Sequence, residues 1–289
     1  MKKLLILSGK GGTGKTTISA ALICFAKAEA VADCDVDAPN LHLALNQPAV
    51  FSKKDFLGGQ KAQVQDAICI ACGECVKHCR FNAVNLRHGT AYVDEIACEG
   101  CGVCEHVCPT RSISMYDDVA GRLSLYTGDT VFSTAELKMG RGNSGKLVTE
   151  VKFALFGAAK NKPIAIIDGS PGIGCPVIAS VSGVDLVLVV AEPTVSGVSD
   201  LKRLVKTADT LNSKIAVCVN KWDTSPEKTA DIEEFCKEHH IPFIGKIPYD
   251  RTISRVINEG KNPAEADGPA KDSLYEVYRN AILLLETKK

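Results

Sequence analysis

Residues 3–17 read KLLILSGKGGTGKTT, an apolar run followed by a glycine-rich loop and the start of a helical pattern. The loop satisfies G-x-x-x-x-G-K-[ST] with Gly9, Gly14, Lys15 and Thr16. In such a loop, backbone N–H groups surround the phosphates of a nucleotide, and the N-terminus of the following helix adds a partial positive charge. The stretch therefore predicts a strand, a phosphate-binding loop and a helix.

The same strand pattern returns further along the chain. Runs that are apolar on both faces and alternate with helical patterns are typical of parallel strands covered by helices. We therefore predict an α/β fold with a doubly wound, mostly parallel sheet, as in P-loop nucleotide-binding proteins. The additional apolar runs cover residues 29–33, 164–168, 185–191, 214–220 and 242–247.

A cysteine-rich segment interrupts this pattern. Two runs, beginning at Cys69 and at Cys98, share the spacing C-x2-C-x2-C-x3-C. This spacing is that of bacterial ferredoxins with two [4Fe–4S] clusters, in which the fourth cysteine of each run binds the other cluster. We therefore assign Cys69, Cys72, Cys75 and Cys108 to cluster 1, and Cys98, Cys101, Cys104 and Cys79 to cluster 2.

The position of this segment predicts two domains. Gly58-Gly59 marks a boundary, and the cysteine pattern has ended by residue 118. We predict a discontinuous nucleotide-binding domain over residues 1–58 and 119–289. An inserted α+β ferredoxin-like domain would cover residues 59–118.

Two alternatives to redox clusters stay open. Zinc is one, because Cys-x2-Cys pairs also form tetrahedral zinc sites. Four cysteines within eleven residues, present twice, fit zinc poorly and a ferredoxin well. The other alternative is that the clusters only stabilise the insert, since a segment of this size has a small core.

Composition limits the classes of function. The 34 basic and 34 acidic residues balance, so we expect no charge-driven binding of nucleic acid or of an anionic membrane. The apolar run in MKKLLIL is too short for a signal peptide, and no stretch approaches the roughly 20 apolar residues of a membrane span. We expect a cytoplasmic, reduced protein, in which clustered cysteines bind metal more often than they form disulfides.

Lys10 adds a second lysine near the start of the phosphate loop. With this lysine, the segments DCD at 33–35, DGSPG at 168–172 and IPYD at 247–250 resemble those of the deviant Walker A ATPases. That family includes MinD, ParA, Mrp-type proteins and the nitrogenase iron protein. The order of the segments, with the insert, resembles the MinD-superfamily ATPases that contain an inserted ferredoxin domain.

This resemblance implies ATP hydrolysis in a nucleotide-sandwich dimer, formed with a second copy or with a related chain. Lys10 would reach the partner's phosphates, and hydrolysis would be slow until a partner or the dimer stimulates it. Asp168 would hold the Mg²⁺ shell, while Lys15 contacts the β- and γ-phosphates and Thr16 binds Mg²⁺. The loop residues expected to bind nucleotide are Gly9, Lys10, Gly11, Gly12, Thr13, Gly14, Lys15, Thr16 and Thr17.

The resemblance also gives Asp35 a role, which is to orient or activate the attacking water. Asp35 and Asp168 both follow apolar strands, so we expect both at the carboxyl edge of the sheet beside the phosphates. Asp33 and Asp37 are competitors for the role of Asp35. A structural capping role is the alternative for each of the three.

The identity of the base is a separate question. Residues 220–223, NKWD, match the Asn-Lys-x-Asp guanine reader of GTPases. The resemblance instead implies ATP, with Asn220 reading adenine and with Pro248 and Asp250 in the loop over the base. We favour ATP because Lys10 and both switch segments belong to that family.

Three functions are compatible with these patterns. The first is an ATP-dependent redox protein that serves an unidentified redox partner. The second is an iron–sulfur carrier of the Mrp type, although such carriers use a Cys-x-x-Cys pair that this chain has only inside the insert. The third is a spatial regulator like MinD or ParA, whose clusters sense redox state or stabilise the insert.

Three further segments of the sequence also carry predictions. Cys175 follows Asp168 by seven residues, the offset of a bridging-cluster cysteine in the nitrogenase iron protein, but no companion cysteine is evident. Residues 140–146 repeat the glycine and lysine spacing without the hydroxyl residue, and we interpret them as a mobile basic loop. Residues 273–287 form an amphipathic helix that we expect to pack against the sheet.

Overall fold

The computed structural model of the protein describes residues 1–45 and 50–287. Strands and helices alternate along most of this part of the chain. The strands are β1 (Lys2–Ser8), β2 (Ala30–Asp33), β3 (Val50–Val64), β4 (Val84–Arg87), β5 (Thr90–Val93), β6 (Ile113–Thr127), β7 (Val131–Leu137), β8 (Ile164–Asp168), β9 (Leu186–Ala191), β10 (Ile215–Asn220) and β11 (Phe243–Ile247). The helices are α1 (Lys15–Ala26), α2 (Glu74–His78), α3 (Val103–His106), α4 (Ser144–Ala158), α5 (Cys175–Val181), α6 (Val195–Thr210), α7 (Pro226–Glu238), α8 (Arg251–Asn258) and α9 (Pro269–Glu286).

Nine strands form one sheet in the order β11-β10-β9-β1-β8-β2-β7-β6-β3. Strand β1 is the fourth strand in this order and pairs in parallel with β8 on one side and β9 on the other. Strand β2 is parallel to β8 and β7, and β10 is parallel to β9 and β11. The prediction of an α/β fold with a mostly parallel sheet is confirmed.

The central strands are buried because helices cover them. Strand β9 is buried along its whole length, and the five residues from Leu4 to Ser8 in β1 are buried as well. Helix α9 packs against α1 and β11 through Leu274, Val277 and Ala281, as expected for the C-terminal amphipathic helix. None of the described helices is both long and apolar enough to cross a membrane.

The chain forms two compact units. The nucleotide unit comprises residues 1–53, 123–136 and 144–289, and the cysteine unit comprises residues 54–122 and 137–143. The divisions fall inside the long strands β3, β6 and β7, and not at the predicted positions 58/59 and 118/119. The domain assignment made from the sequence stays a prediction, and segment 137–143 is an addition that the cysteine pattern did not indicate.

Between the long strands β3 and β6, the cysteine unit contains only short regular elements. Strands β4 and β5 pair as an antiparallel two-stranded sheet, and helices α2 and α3 are one turn each. Its buried cluster contains three of the predicted cluster ligands, so cysteine side chains form a large part of what packs there. The buried residues are Ala62, Cys75, Ala83, Val84, Ala91, Cys98, Cys104 and Ile113.

Candidate functional site

The phosphate loop connects β1 to α1. Gly14 has a φ of 90°, and a Cβ at this residue would lie 2.2 Å from the Asn220 side-chain nitrogen. A side chain is therefore excluded for two reasons, namely the left-handed backbone and the close approach of Asn220. No side chain caps the N-terminus of α1, which leaves the first N–H groups of this helix available to an anion.

Asp168 joins the loop to the end of β8. The Thr16 hydroxyl donates to Asp168 Oδ2 at 2.8 Å, and the Ser19 hydroxyl donates to Asp168 Oδ1 at 2.7 Å. The Lys15 ammonium lies 2.9 Å from Asp168 Oδ1, and both side chains are buried. The structure thus brings together Lys15, Thr16 and Asp168, a set in which a hydroxyl and a carboxylate offer the oxygen ligands that Mg²⁺ prefers.

The three aspartates after β2 have different surroundings. Asp33 is fully buried and accepts hydrogen bonds from the backbone N–H groups of Asp35, Asn40 and Leu41. Burial, with the negative charge of Asp168, raises the pKa of Asp33 to about 7. Asp33 therefore holds the shape of this loop, which is the capping role that the sequence left open for it.

Asp35 faces the phosphate loop. Its Oδ2 atom lies 4.0 Å from Lys15 Nζ, and burial raises the pKa of its carboxyl group. Asp37 is exposed. Of the three candidates, Asp35 is the one whose carboxylate forms an ion pair with the phosphate-loop lysine.

Lys10 lies on a small polar cluster after β9. Its ammonium is 3.0 Å from the Glu192 carboxylate and donates to the Thr194 and Ser196 hydroxyls at 3.4 and 3.2 Å. Glu192 also pairs with Lys221 at 3.1 Å. Although burial acts to raise it, the pKa of Glu192 is lowered because both lysines stabilise the carboxylate.

The cluster around Glu192 was not among the features predicted from the sequence. The signal that could have found it is the polar run Glu192-Pro-Thr-Val-Ser196, which follows a buried strand at the same edge of the sheet as the phosphate loop.

A cavity of about 210 Å³ lies beside the loop. It contains the three residues predicted to contact the base, Asn220, Pro248 and Asp250, together with Thr17 of the phosphate loop. Tyr249, Ile253 and Ile257 add apolar surface suited to a planar base. The other lining residues are Gly12, Gly14, Ile18, Lys221, Ile247, Ser254 and Leu274.

The polar groups of this cavity also connect its loops. The Asn220 amide donates to the Thr13 carbonyl at 2.7 Å, and Lys221 Nζ donates to the Gly12 carbonyl at 3.3 Å. Asp223 accepts a hydrogen bond from the Tyr249 backbone at 2.7 Å. The NKWD segment therefore holds the phosphate loop and the 247–250 loop in place.

Asp250 has a structural role of its own. Its carboxylate accepts from the Thr252 backbone and hydroxyl at 2.8 and 2.7 Å, which caps helix α8. These hydrogen bonds lower the pKa of Asp250.

Two further and much smaller cavities, of about 10 and 20 Å³, lie within the cysteine unit. Their lining reproduces the predicted division of the eight cysteines. The first cavity is lined by Cys69, Cys72, Cys75 and Cys108, and the second by Cys79, Cys98, Cys101 and Cys104.

The cysteines of each cavity do not converge on one point. Over residues 1–45 and 50–287, no three Cys, His, Asp or Glu side chains are arranged to hold a single metal ion. A [4Fe–4S] cluster takes one thiolate on each iron, so its four ligands surround a volume rather than a single atom. Soft thiolate donors around a small cavity with apolar walls fit such a cluster better than they fit an isolated ion.

Comparisons with known proteins agree with the nucleotide site. Residues 4–264 match the model of the CobQ/CobB/MinD/ParA nucleotide-binding domain. An uncharacterised protein of Methanocaldococcus jannaschii, MJ0578, is 34% identical over 284 residues, which cover 96% of this chain and 95% of that protein. The uncharacterised ATP-binding protein MJ0547 of the same organism is 25% identical over 96% of this chain and 87% of its own length.

Solved structures give the same fold. The cell division ATPase MinD of Pyrococcus furiosus superposes with a TM-score of 0.58 and 16% identity, covering 98% of this chain and 99% of its own. Two further proteins match over short segments of 47 residues, each at 34% identity and over 16% of this chain. These are one subunit of an ion-translocating oxidoreductase complex from Methanosarcina acetivorans, of which 18% is covered, and the pyruvate synthase protein PorD from Methanothermobacter marburgensis, of which 54% is covered.

Proposed function

The chain belongs to the CobQ/CobB/MinD/ParA family of nucleotide-binding proteins, and we propose that it is an ATPase that couples nucleotide-dependent dimer closure to electron transfer through two [4Fe–4S] clusters. One observation carries this proposal. The eight cysteines whose spacing predicts two clusters line two separate cavities, four to each, in a chain that also has a complete phosphate-binding loop. ATP, Mg²⁺ and the two clusters would be its cofactors.

The residues around the phosphate loop support hydrolysis. Lys15, held against Asp168, would donate to the β- and γ-phosphates, and the Thr16 hydroxyl would bind Mg²⁺ beside Asp168. Asp35 would orient or activate the attacking water. Its raised pKa makes its carboxylate a better proton acceptor near neutral pH.

Lys10 supports a dimer. Its ammonium is about one third exposed and is held by Glu192 and two hydroxyl groups, so it can leave without unfolding any element. In a sandwich dimer it would contact the phosphates bound to the partner, which is a second copy or a related chain. Hydrolysis would be slow until the dimer closes.

The cysteine unit supports the redox half of the proposal. The thiolates would hold clusters that supply one-electron transfer when bound. Ile70 and Leu86 line the first cavity, and Phe81 and Val103 line the second, so apolar side chains limit the access of water to both. All four side chains are also partly exposed, which would bring an unidentified redox partner close to the clusters.

The test is a redox titration of the cluster-loaded protein, followed by its EPR spectrum, with ADP–Mg²⁺, with ATP–Mg²⁺ and without nucleotide. We expect ATP–Mg²⁺ to shift the midpoint potential or the rate of reduction by an external donor. The Lys15→Ala variant, which keeps all eight cysteines, is the control for nucleotide binding. If nucleotide changes neither the midpoint potential nor the reduction rate in the wild-type protein, coupling is excluded and a structural role of the clusters is favoured.

A further inference from the structure

Helix α5 follows the loop that begins at Asp168, and helix α4 packs along it. Two residues of α4, Gly145 and Lys152, contact α5 or its C-terminal end, and Gly145 lies against Cys175. None of the functions described above uses Gly145 or Lys152.

Lys152 holds the C-terminal end of α5. Its ammonium donates to the carbonyl oxygens of Ala179, Ser180 and Ser182 at 2.8, 2.7 and 2.6 Å. The last carbonyls of a helix have no partner within the helix, and a cation there also interacts favourably with the helix dipole. Lys152 is only 5% exposed, and lysine is seldom buried this deeply without a specific set of partners.

Gly145 contacts the N-terminal end of α5. A Cβ placed on this glycine would lie 3.2 Å from both the Cβ and the carbonyl oxygen of Cys175, closer than packed side chains normally approach. Helix α4 is thus held to α5 at both ends, by close packing at residue 175 and by three hydrogen bonds at residues 179–182.

The start of α4 is held by a different set of contacts. Arg141 pairs with Asp118 at 3.0 Å and with Glu95 at 3.1 Å, and the Asn143 amide donates to the Gly58 carbonyl. These contacts lie within the cysteine unit and fasten segment 137–143 to it. Of the predicted mobile basic loop at 140–146, residues 140–143 are therefore held within the cysteine unit, and residues 144–146 form the first turn of α4.

We propose that Gly145 and Lys152 are positioning residues that make α4 and α5 move as one body. A nucleotide-driven displacement of residues 168–174 then reaches segment 137–143 of the cysteine unit through α4. This inference rests on the proposed coupling between nucleotide and insert, and it names the element that transmits it.

The chain offers a matched pair of variants. Gly145→Ala introduces a methyl group against Cys175, whereas Gly157→Ala introduces the same group in the same helix with nothing within 4 Å. Lys152→Met removes the ammonium at similar length. Lys160→Met, at an exposed lysine just beyond α4, is its control.

The measurement is amide hydrogen exchange of the full cluster-loaded chain, followed at residues 137–147 and 168–174, without nucleotide and with ATP–Mg²⁺. In the wild type we expect ATP–Mg²⁺ to slow exchange in both segments by roughly fivefold or more. Gly145→Ala and Lys152→Met should lose most of the effect at 137–147 while keeping ATP binding and most of the effect at 168–174. Gly157→Ala and Lys160→Met should match the wild type.

The outcomes separate the two ideas. If wild-type exchange at 137–147 does not respond to ATP although residues 168–174 respond, the inference about α4 is wrong, and the redox titration decides separately whether nucleotide and clusters are coupled. If the wild type responds in both segments and Gly145→Ala responds equally, the inference about α4 is wrong and the coupling stands. Should Lys152→Met fold poorly, its melting temperature will reveal this, and the Gly145 and Gly157 pair decides alone.

Discussion

The two compact units are stabilised in different ways. The nucleotide unit buries a cluster of 25 side chains that is almost entirely aliphatic and includes Leu4, Ile166 and Leu188. The buried cluster of the cysteine unit has eight members, three of which are cysteines. A large apolar core stabilises a fold without a ligand, whereas a small one relies on cross-links or metal. We therefore expect the folding of the cysteine unit, and not that of the nucleotide unit, to depend on a group bound by its thiols.

The largest effect is expected when one predicted cysteine ligand is removed from each of the two sets of four. Replacing both Cys75 and Cys104 with Ser should abolish cluster binding and leave the cysteine unit unfolded, because each cavity loses a buried ligand. The nucleotide unit should keep its cooperative unfolding and its ATP binding. Iron content, limited proteolysis and thermal unfolding check this.

Cys24→Ser is the matched control, since Cys24 is an exposed cysteine in α1 of the nucleotide unit. Full iron content in the double variant would contradict the ligand assignment. A cysteine unit that stays protected from protease without iron would contradict the comparison of the two cores.

The complementary change removes nucleotide chemistry. Lys15→Ala should lower ATP turnover by at least about 100-fold, because the lysine stabilises charge that develops on the transferred phosphoryl group. Its iron content should equal that of the wild type, since no ligand has changed. Turnover and iron analysis on the same preparation give the result, and iron loss in Lys15→Ala would show that the units do not fold independently.

A smaller effect is expected from replacing Lys10, and it distinguishes ATP binding from closure of the dimer. Lys10→Ala should lower dimer-stimulated hydrolysis by roughly 100-fold, as for the loss of one transition-state donor, while the affinity of the isolated chain for ATP stays nearly constant. Turnover as a function of protein concentration, with nucleotide binding measured by calorimetry, distinguishes the two. Unchanged stimulated hydrolysis would rule out the sandwich-dimer role of Lys10.

The smallest effect concerns the partner of Lys10. Glu192→Gln removes the charge that holds both Lys10 and Lys221, so Lys10 should leave its position more easily. A partly exposed ion pair contributes little free energy, so we expect ATP-dependent dimerisation to strengthen by only about two- to fivefold. Light scattering at limiting ATP measures this, and weaker dimerisation would mean that Glu192 orders the site instead of restraining Lys10.

The features that could be predicted from the sequence are those set by local patterns. Strands β1, β8, β9 and β10 are unbroken apolar runs, because helices cover both faces, and each run is readable without knowledge of its neighbours. The phosphate loop and the cysteine runs are likewise readable, since their chemistry requires fixed spacings.

The features that were missed depend on distant partners. Strand β3 carries Lys53, Lys54 and Asp55 in sequence, and nothing in that polar stretch indicates a strand at the end of a nine-stranded sheet. Lys152 lies in a helix that sequence analysis did not identify, and its three carbonyl partners are at least 27 residues away. Contacts of this kind are created by tertiary structure and leave no periodic signal.

The order of strands at one end of the sheet has a consequence for how such a chain could arise. Strands β3 and β6 are neighbours, so the chain leaves the nucleotide unit and returns to it side by side. A short turn could join β3 directly to β6 in place of residues 54–122, and the order and connections of the other strands would stay the same. An insertion whose two ends are adjacent in this way could be gained or lost without changing the order of the other strands.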